Sequence, residues 1–441
     1  MTFLDVRGIR RGAAGHTFAG VMSASRLNVL IVSAQFPFPP RSGFEMRVHH
    51  LARRIAARHD VTLLSYTRPS ERDDGAAAWP GDLRVETVEL AAPSRAAKRA
   101  AQAASLASPR PYACRSVRSH EMQRRIDALC AARRVDVVQL ETSLLCTFSF
   151  PPGVPVVVDE HNVEYEVFAR MHEGERSRPR RAFNRVEHAR FRRFEQHCWR
   201  RAAGCAVTSE REARIVHSVA PRAPVEVVPN GVDLDAFRPS RTPPEPCSVV
   251  FNGILDYRPN LDAANHLVDE IWPRVQRHSP GARLTIVGRG HPGDIRRLRR
   301  PGVAVTGEVP DVRPYLERAA VVAVPVRMGG GTRLKVLEGL AVGKPMVSTT
   351  LGCEGVRVRD GEHLLVADGA DAFAAAIARV FAHAGLGHAL GSAGRGLVER
   401  EYSWDLAADR LDDLLARVGA RRRRAPAGVL VPRAEAEGVA P

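Results

Sequence analysis

The residues best suited to chemistry lie in one stretch, 321–355, VVAVPVRMGGGTRLKVLEGLAVGKPMVSTTLGCEG. A short apolar run ends at Pro325. Gly329, Gly330 and Gly331 follow, then Thr332, the cations Arg333 and Lys335 on either side of Leu334, and Glu338 in what reads as the first turns of a helix. Glycine lets the backbone turn and lets a ligand approach its N–H groups. A helix N-terminus offers unpaired donors and the positive end of a dipole, and the two side chains add full charges. Glu338 supplies two acceptor oxygens, which match the paired hydroxyls of a ribose. Strand, glycine loop and helix in this order describe a site for a nucleoside diphosphate. The plainer reading is a strand-to-helix turn whose solvated glutamate complements the helix dipole.

Such a loop needs a frame, and the apolar runs come at α/β spacing. Residues 27–33, 61–66, 85–90, 135–140, 154–159 and 205–208 read as one series of strands, closing at Thr208. A second series, 248–252, 284–287, 303–306, 321–325, 346–348 and 364–366, begins after the Pro-rich break PSRTPPEP at 239–246. Stretches such as 121–134, 261–275 and 371–381 between them read as helices. Continuous apolar strands separated by helices imply parallel sheets covered on both faces. The expected architecture is therefore α/β: two doubly wound, Rossmann-like halves facing across a cleft, with the site at the carboxyl ends of the strands.

The boundaries follow from this reading. Residues 1–25 form a disordered extension, with Met22 as an alternative start. Residues 26–228 are the first domain, 229–246 a linker around the turn dipeptide Asn230-Gly231, and 247–400 the second domain. Residues 401–419 are an amphipathic helix returning to the first domain, and 420–441 a basic disordered tail.

Composition narrows the partners. The chain has 441 residues and a formal charge of +16, with lysine only at positions 98, 335 and 344. An arginine-rich excess suits anionic ligands such as sugar nucleotides or phospholipid surfaces. Nucleic acid is disfavoured, because aromatic residues are 6% and no basic repeat interleaves them. Seven scattered cysteines without a CxxC fit a reducing cytosol rather than a disulfide scaffold or a zinc module. No run of eighteen apolar residues predicts a membrane span. The stretch from Arg176 to Arg201 carries ten arginines against Glu187 and Glu195, with Phe183, Val186, Phe194 and Cys198 near helical spacing. It reads as a helix with a basic face, solvated or laid on an anionic membrane. Arg421–Arg424 in the tail is a second candidate for that contact.

Four blocks resemble the retaining glycosyltransferases of the GT-B fold, family 4. They are VVPNGVDLDAF at 227–237, FNGILDYRPNLDA at 251–263, GARLTIVGRG with VAVTGEVPDVRPYLERA, and the glycine-loop block itself. PFPPRSGFEMR and DEHNVEYE resemble the acceptor half of a branch from bacterial exopolysaccharide pathways. The resemblance implies a cytoplasmic enzyme, peripheral at the inner face of the plasma membrane. It would move a sugar from a nucleoside-diphosphate donor to a glycan or polyprenyl-diphosphate-linked acceptor, with retention. No metal and no cofactor beyond the donor is implied, because protein cations and N–H groups stabilise the leaving diphosphate.

Carried over residue by residue, the resemblance makes His161 a catalytic candidate, and Lys335 and Arg333 join it through their charge at the glycine loop. Gly253, Arg258, Gly330, Gly331, Thr332, Leu334 and Glu338 become donor contacts, and Gly43, Arg47, Asn162 and Glu164 the acceptor side, with Asp159 and Glu160 as further polar candidates. This chain departs from the pattern twice. Gly330 stands where the first of two motif glutamates is usual, Glu338 being the second. Gly253 is followed by Ile254 and Leu255, with Pro259 where a lysine is usual. Arg333 and Lys335, helped by Arg258, are then the expected replacements for the missing phosphate cations. Two rival readings remain: a sugar-nucleotide 2-epimerase of the same architecture, and a non-catalytic binder of sugar nucleotides or polyanions.

Overall fold

The computed structural model describes residues 26–68, 83–90, 94–105, 108, 110–173, 177–240 and 242–424. The expectations for residues 1–25, Met22, Arg176 and the tail beyond Arg424 lie outside them.

The first half contains β1 (Asn28–Ser33), α1 (Gly43–Ala56), β2 (Asp60–Thr67), β3 (Arg84–Glu89), α2 (Arg95–Ser105), α3 (Tyr112–Val117), α4 (His120–Ala132) and β4 (Val137–Leu140). It continues through β5 (Val156–Glu160), α5 (Glu164–Glu173), α6 (Arg178–Arg201), β6 (Gly204–Val207), α7 (Glu210–Val219) and β7 (Val225–Val227). The seven strands are all parallel, in the order β3-β2-β1-β4-β5-β6-β7. The series does not close at β6 as the sequence suggested. The three residues of β7 are only half-buried, so they carry too little apolar signal to read as a strand.

The second half contains β8 (Ser248–Asn252), α8 (Arg258–His266), α9 (Trp272–His278), β9 (Arg283–Val287), α10 (Pro292–Leu298), β10 (Val303–Val305), α11 (Arg313–Arg318) and β11 (Val321–Val324). Then come α12 (Leu334–Ala341), β12 (Met346–Ser348), β13 (Leu365–Val366), α13 (Ala370–Ala382), α14 (Ala384–Glu401) and α15 (Trp404–Arg424). Its six parallel strands run in the order β10-β9-β8-β11-β12-β13. Strands β1, β4, β8 and β11 are buried almost throughout, as strands covered on both faces must be.

Helix α15 crosses back to the first half. Trp404, Ala407, Leu411, Leu414, Leu415 and Val418 join Leu27, Val29, Ile31 and Ile55 in one core cluster. The helix runs on through Arg424, so the basic run 421–424 begins as helix, not as the tail expected from residue 420.

The chain passes between halves twice, and the two crossings are bonded to each other. The Val232 amide donates to the Tyr402 carbonyl at 2.8 Å. A Cβ on Gly231 would stand 2.5 Å from the Trp404 nitrogen, so only glycine permits this approach.

Among the described residues no single helix is long and apolar enough to cross a membrane. The basic helix α6 differs from expectation in its faces. Phe191, Cys198 and Trp199 are buried, whereas Val186 is 40% exposed. Glu187 and Glu195, which the sequence sets among solvated arginines, are buried too. Each accepts bonds from the open N-terminus of another helix. Glu195 takes the Glu164 and Tyr165 amides of α5 at 3.0 and 3.1 Å, and Glu187 takes the Tyr112 amide of α3 at 2.6 Å. Orphan amides at helix starts are natural partners for a carboxylate.

Candidate donor and acceptor half-sites

The glycine loop joins the end of β11 to α12, and its backbone is shaped by glycine where other residues would be strained. Gly329 has φ +101° and Gly331 φ +74°. Six of the eight residues of α12 are buried, and the packing of Val336, Leu337, Leu340 and Ala341 carries Glu338 inside with them. There the Glu338 carboxylate accepts from Asn252 Nδ2 at 3.0 Å, at the carboxyl end of β8. Burial pushes its pKa above the usual carboxylate range, opposed by Asn252 and by Lys335.

Lys335 is the cation that the fold holds in place. Its Nζ donates to Asn260 Oδ1 at 2.8 Å and sits 4.4 Å from the centroid of the Phe251 ring, a cation–π contact. A Cβ on Gly253 would stand 2.7 Å from that Nζ, so Gly253 leaves the space the ammonium uses. Burial, and then the neighbouring Arg333 charge, lower the Lys335 pKa to about 7, against the pull of Glu338. Arg333 stands at the N-cap position of α12 and its side chain turns back on its own loop, donating to the carbonyls of Gly330 and, at 3.4 Å, Met328. Arg258 is exposed at the start of α8. The Thr332 Oγ1 is buried with no protein hydrogen-bond partner.

In the first half, His161 directly follows β5 and its Nε2 lies 3.0 Å from Glu141 Oε2. The other Glu141 oxygen accepts from Gln139 Nε2 at 2.7 Å, so this carboxylate is clamped on both sides. Burial raises the Glu141 pKa, with the His161 bond opposing. The His161 Nδ1 is buried without a partner, and Phe44 packs on the ring at 4.6 Å between centroids. A neutral imidazole that gives its Nε2 hydrogen to Glu141 keeps a lone pair on Nδ1.

Arg47 is not an acceptor-reading cation. It is fully buried, and its guanidinium forms two bonds to Asp159 at 2.7 and 3.0 Å. It also donates to the Val228 carbonyl at 2.8 Å and to Asn230 Oδ1 at 3.0 Å. The residue lies on the inward stripe of α1 beside Val48, Leu51 and Ile55, and it locks β5 to the linker. Glu141, Asp159 and His161 bring one ligand atom each within 4.8 Å of one another, a spacing that suits a metal ion. Both Asp159 oxygens already accept from the Arg47 guanidinium. Glu160 faces the other way, accepting from Trp199 Nε1 at 2.8 Å, and burial pushes its pKa up to about 8.

The two half-sites touch. A Cβ on Gly331 would fall 2.0 Å from Asn162 Oδ1, and one on Gly43 would fall 3.6 Å from Leu334 Cδ1. Leu334 packs against the cores of both halves, so it is an interdomain contact. Glu164 starts α5 just beyond Asn162, and burial raises its pKa while Asn162 opposes. Arg211 of α7 bonds Glu166 and reaches Glu354 of the second half at 3.7 Å.

Glu141, Asn252, Asn260 and Glu195 escaped the sequence reading. Glu141 and Asn252 do carry a usable signal, a polar residue directly after or closing an apolar strand. Asn260 and Glu195 carry none, because their partners lie 75 and about 30 residues away.

Comparison with known proteins agrees with this fold. Residues 41–236 match the family model described as Glycosyltransferase Family 4, and residues 246–383 match the one described as Glycosyl transferases group 1. Together the two matches span well over half of the chain. The chain belongs to the group 1, family 4 glycosyltransferases. A relative from Mycobacterium tuberculosis, named GDP-mannose-dependent alpha-(1-6)-phosphatidylinositol monomannoside mannosyltransferase, is 30% identical over 233 residues, 47% of this chain and 60% of that protein. The corresponding enzyme for the monoacylated substrate from Corynebacterium glutamicum is 28% identical over 211 residues, 43% of this chain and 55% of that one. The chain thus spans little more than half the length of these curated relatives. Among solved structures, sucrose-phosphate synthase from Thermosynechococcus elongatus superposes with TM-score 0.69 at 18% identity, over 90% of this chain and all of that one. HepE from Anabaena, in complex with UDP, gives 0.63 at 13% identity over 89% of this chain and all of that one. These structures share the GT-B fold, two Rossmann-like domains, with the chain described above.

Proposed function

We propose that this protein transfers a sugar, with retention, from a nucleoside-diphosphate sugar to a glycan or lipid-linked acceptor in cell-surface or exopolysaccharide assembly. The observation that carries the reading is Lys335, held by Asn260 beside Gly253 and the glycine loop, where Gly331 meets Asn162 and the His161 backbone of the first half. A diphosphate next to the ammonium would restore the charge that burial disfavours, and the charge that builds on the leaving group would be stabilised there. Glu338 and Asn252 at the strand ends offer paired polar atoms for ribose hydroxyls. His161, held by Glu141 through Nε2, would offer Nδ1 as an acceptor to the sugar when Nε2 carries the hydrogen. The same residues serve without a resident metal, since Lys335 supplies the positive charge. GDP-mannose, the donor in the relatives' names, is the first to assay.

The test measures nucleoside diphosphate released from GDP-mannose, UDP-glucose and other donors, with and without an extract of polyprenyl-linked glycans. Acceptor-dependent release that collapses in Lys335→Ala supports transfer. Rearranged donor without acceptor points instead to an epimerase, and tight donor binding with neither product points to a binder.

A further inference from the structure

A strongly charged hollow lies away from the glycine loop. A cavity of about 540 Å³ in the first half is lined by Ser108, Arg110, Arg115, Arg118, His120 and Thr147. Three of these six are arginines and none is acidic. All three arginines are exposed. Among the described residues no carboxylate pairs with Arg110, Arg115 or Arg118; Arg115 makes a backbone contact, to the Ala104 carbonyl at 3.4 Å. Elsewhere on this surface arginines are commonly paired, as Arg125 with Glu86 at 3.0 Å and Arg58 with Asp412 at 3.0 Å.

The position of the hollow is set by topology. Helix α4 leads into β4, so it runs against the strands and its N-terminus, His120, lies at the carboxyl edge of the sheet. Thr147 closes the short 3-10 turn Ser143–Thr147 that follows Glu141. The cavity therefore opens on the same edge of the sheet as His161, on the acceptor side. Arginine forks match phosphate oxygens in pairs. Three forks with no carboxylate partner among the described residues line this one cavity, more than a single carboxylate or sugar hydroxyl needs.

We propose that this cavity binds the phosphate or diphosphate group of the acceptor, an inference that rests on the glycosyl-transfer reading. Arg110, Arg115 and Arg118 hold the anion, with His120 and Thr147 as further donors, and the hydroxyl to be glycosylated extends along the sheet edge towards His161. The anion belongs either to a lipid-borne acceptor or to a soluble phosphorylated sugar.

Inorganic pyrophosphate titrated into the full chain by calorimetry tests this. The wild type should show two classes of site. The triple variant R110Q/R115Q/R118Q should lose one, with affinity there falling at least about tenfold, and Lys335→Ala should lose the other. An isotherm in the triple variant identical to wild type overturns the proposal. So does a single wild-type site abolished by Lys335→Ala alone. If the triple variant loses a site while Lys335→Ala changes nothing, the acceptor pocket stands and the donor reading fails. Because the three side chains are exposed, the thermal midpoint of the triple variant should match wild type and exclude a folding defect. Flotation with phosphatidylcholine vesicles, with and without polyprenyl diphosphate, then assigns the source. Arginine-dependent flotation only with polyprenyl diphosphate identifies a lipid-borne phosphate. Pyrophosphate binding without flotation identifies a soluble one.

Discussion

The two walls of the cleft are built on opposite principles. In the first domain nearly every polar group near His161 already has a partner: Arg47 with Asp159, Glu141 with Gln139 and His161, Glu195 with the start of α5. Among the described residues there, His161 Nδ1 and Gln139 Oε1 are left over. In the second domain the groups at the loop are incompletely satisfied. Lys335 has one hydrogen-bond partner and a pKa lowered to about 7, while Asn252 Oδ1 and Thr332 Oγ1 are buried without one. One wall is a rigid frame that orients a single imidazole. The other is poised for an anion to complete it. Buried polar atoms without partners cost stability, so a ligand that completes Thr332 Oγ1, Asn252 Oδ1 and Lys335 would return free energy on that wall.

The contrast is sharpest at Arg47. Arg47→Ala leaves Asp159 charged and buried, and should destabilise the protein by about 3–5 kcal/mol, read from chemical denaturation. A loss below about 1 kcal/mol would mean that the frame is not rigid in the way described. Next in size, Glu141→Gln should reduce turnover about a hundredfold while leaving donor affinity intact. The amide can donate to Nε2, which moves the imidazole hydrogen to Nδ1 and removes its lone pair. Unchanged turnover would show that the Nδ1 lone pair has no role.

On the opposite wall, Lys335→Ala should weaken nucleoside diphosphate binding by about one to two orders of magnitude without lowering the denaturation midpoint. Calorimetry with UDP, GDP and ADP checks both the effect and the base. The smallest effect is on pH. Lys335 has a pKa of about 7 in the free protein, and a bound diphosphate favours the charged form. Binding then takes up a proton above that pH, and affinity should fall by up to about tenfold per unit as pH rises beyond 7. Below pH 7 the ammonium is already charged and the dependence on this group vanishes. Lys335→Arg, always cationic, should flatten the profile. A slope that survives in that variant would assign the titration elsewhere.

Much of this was legible in the chain itself. Apolar runs at α/β spacing predict both parallel sheets, because a strand covered on both faces must be apolar throughout. Gly329–Gly331 mark the glycine loop before α12, because a tight turn against a helix start limits the residue types allowed. His161 and Asn162 are legible by position at a strand end, and the structure sets Asn162 against the glycine loop.

What the sequence by itself determined is local: which segments are strands, where backbone freedom is needed, and which residues are charged. What only the tertiary structure decided is which charges are used up. Arg47, Glu187 and Glu195 have the composition of a solvated surface, yet they are buried because their partners, Asp159, Tyr112 and the start of α5, come from distant segments of the chain. The letters mark Lys335 by its glycine loop but do not show its surroundings. Its altered pKa and its place at the cleft arise from Asn260, Phe251 and Gly253 arriving from another strand and helix. Burial and electrostatics depend on distance in space, and for these residues the partners lie tens to more than a hundred positions away along the chain.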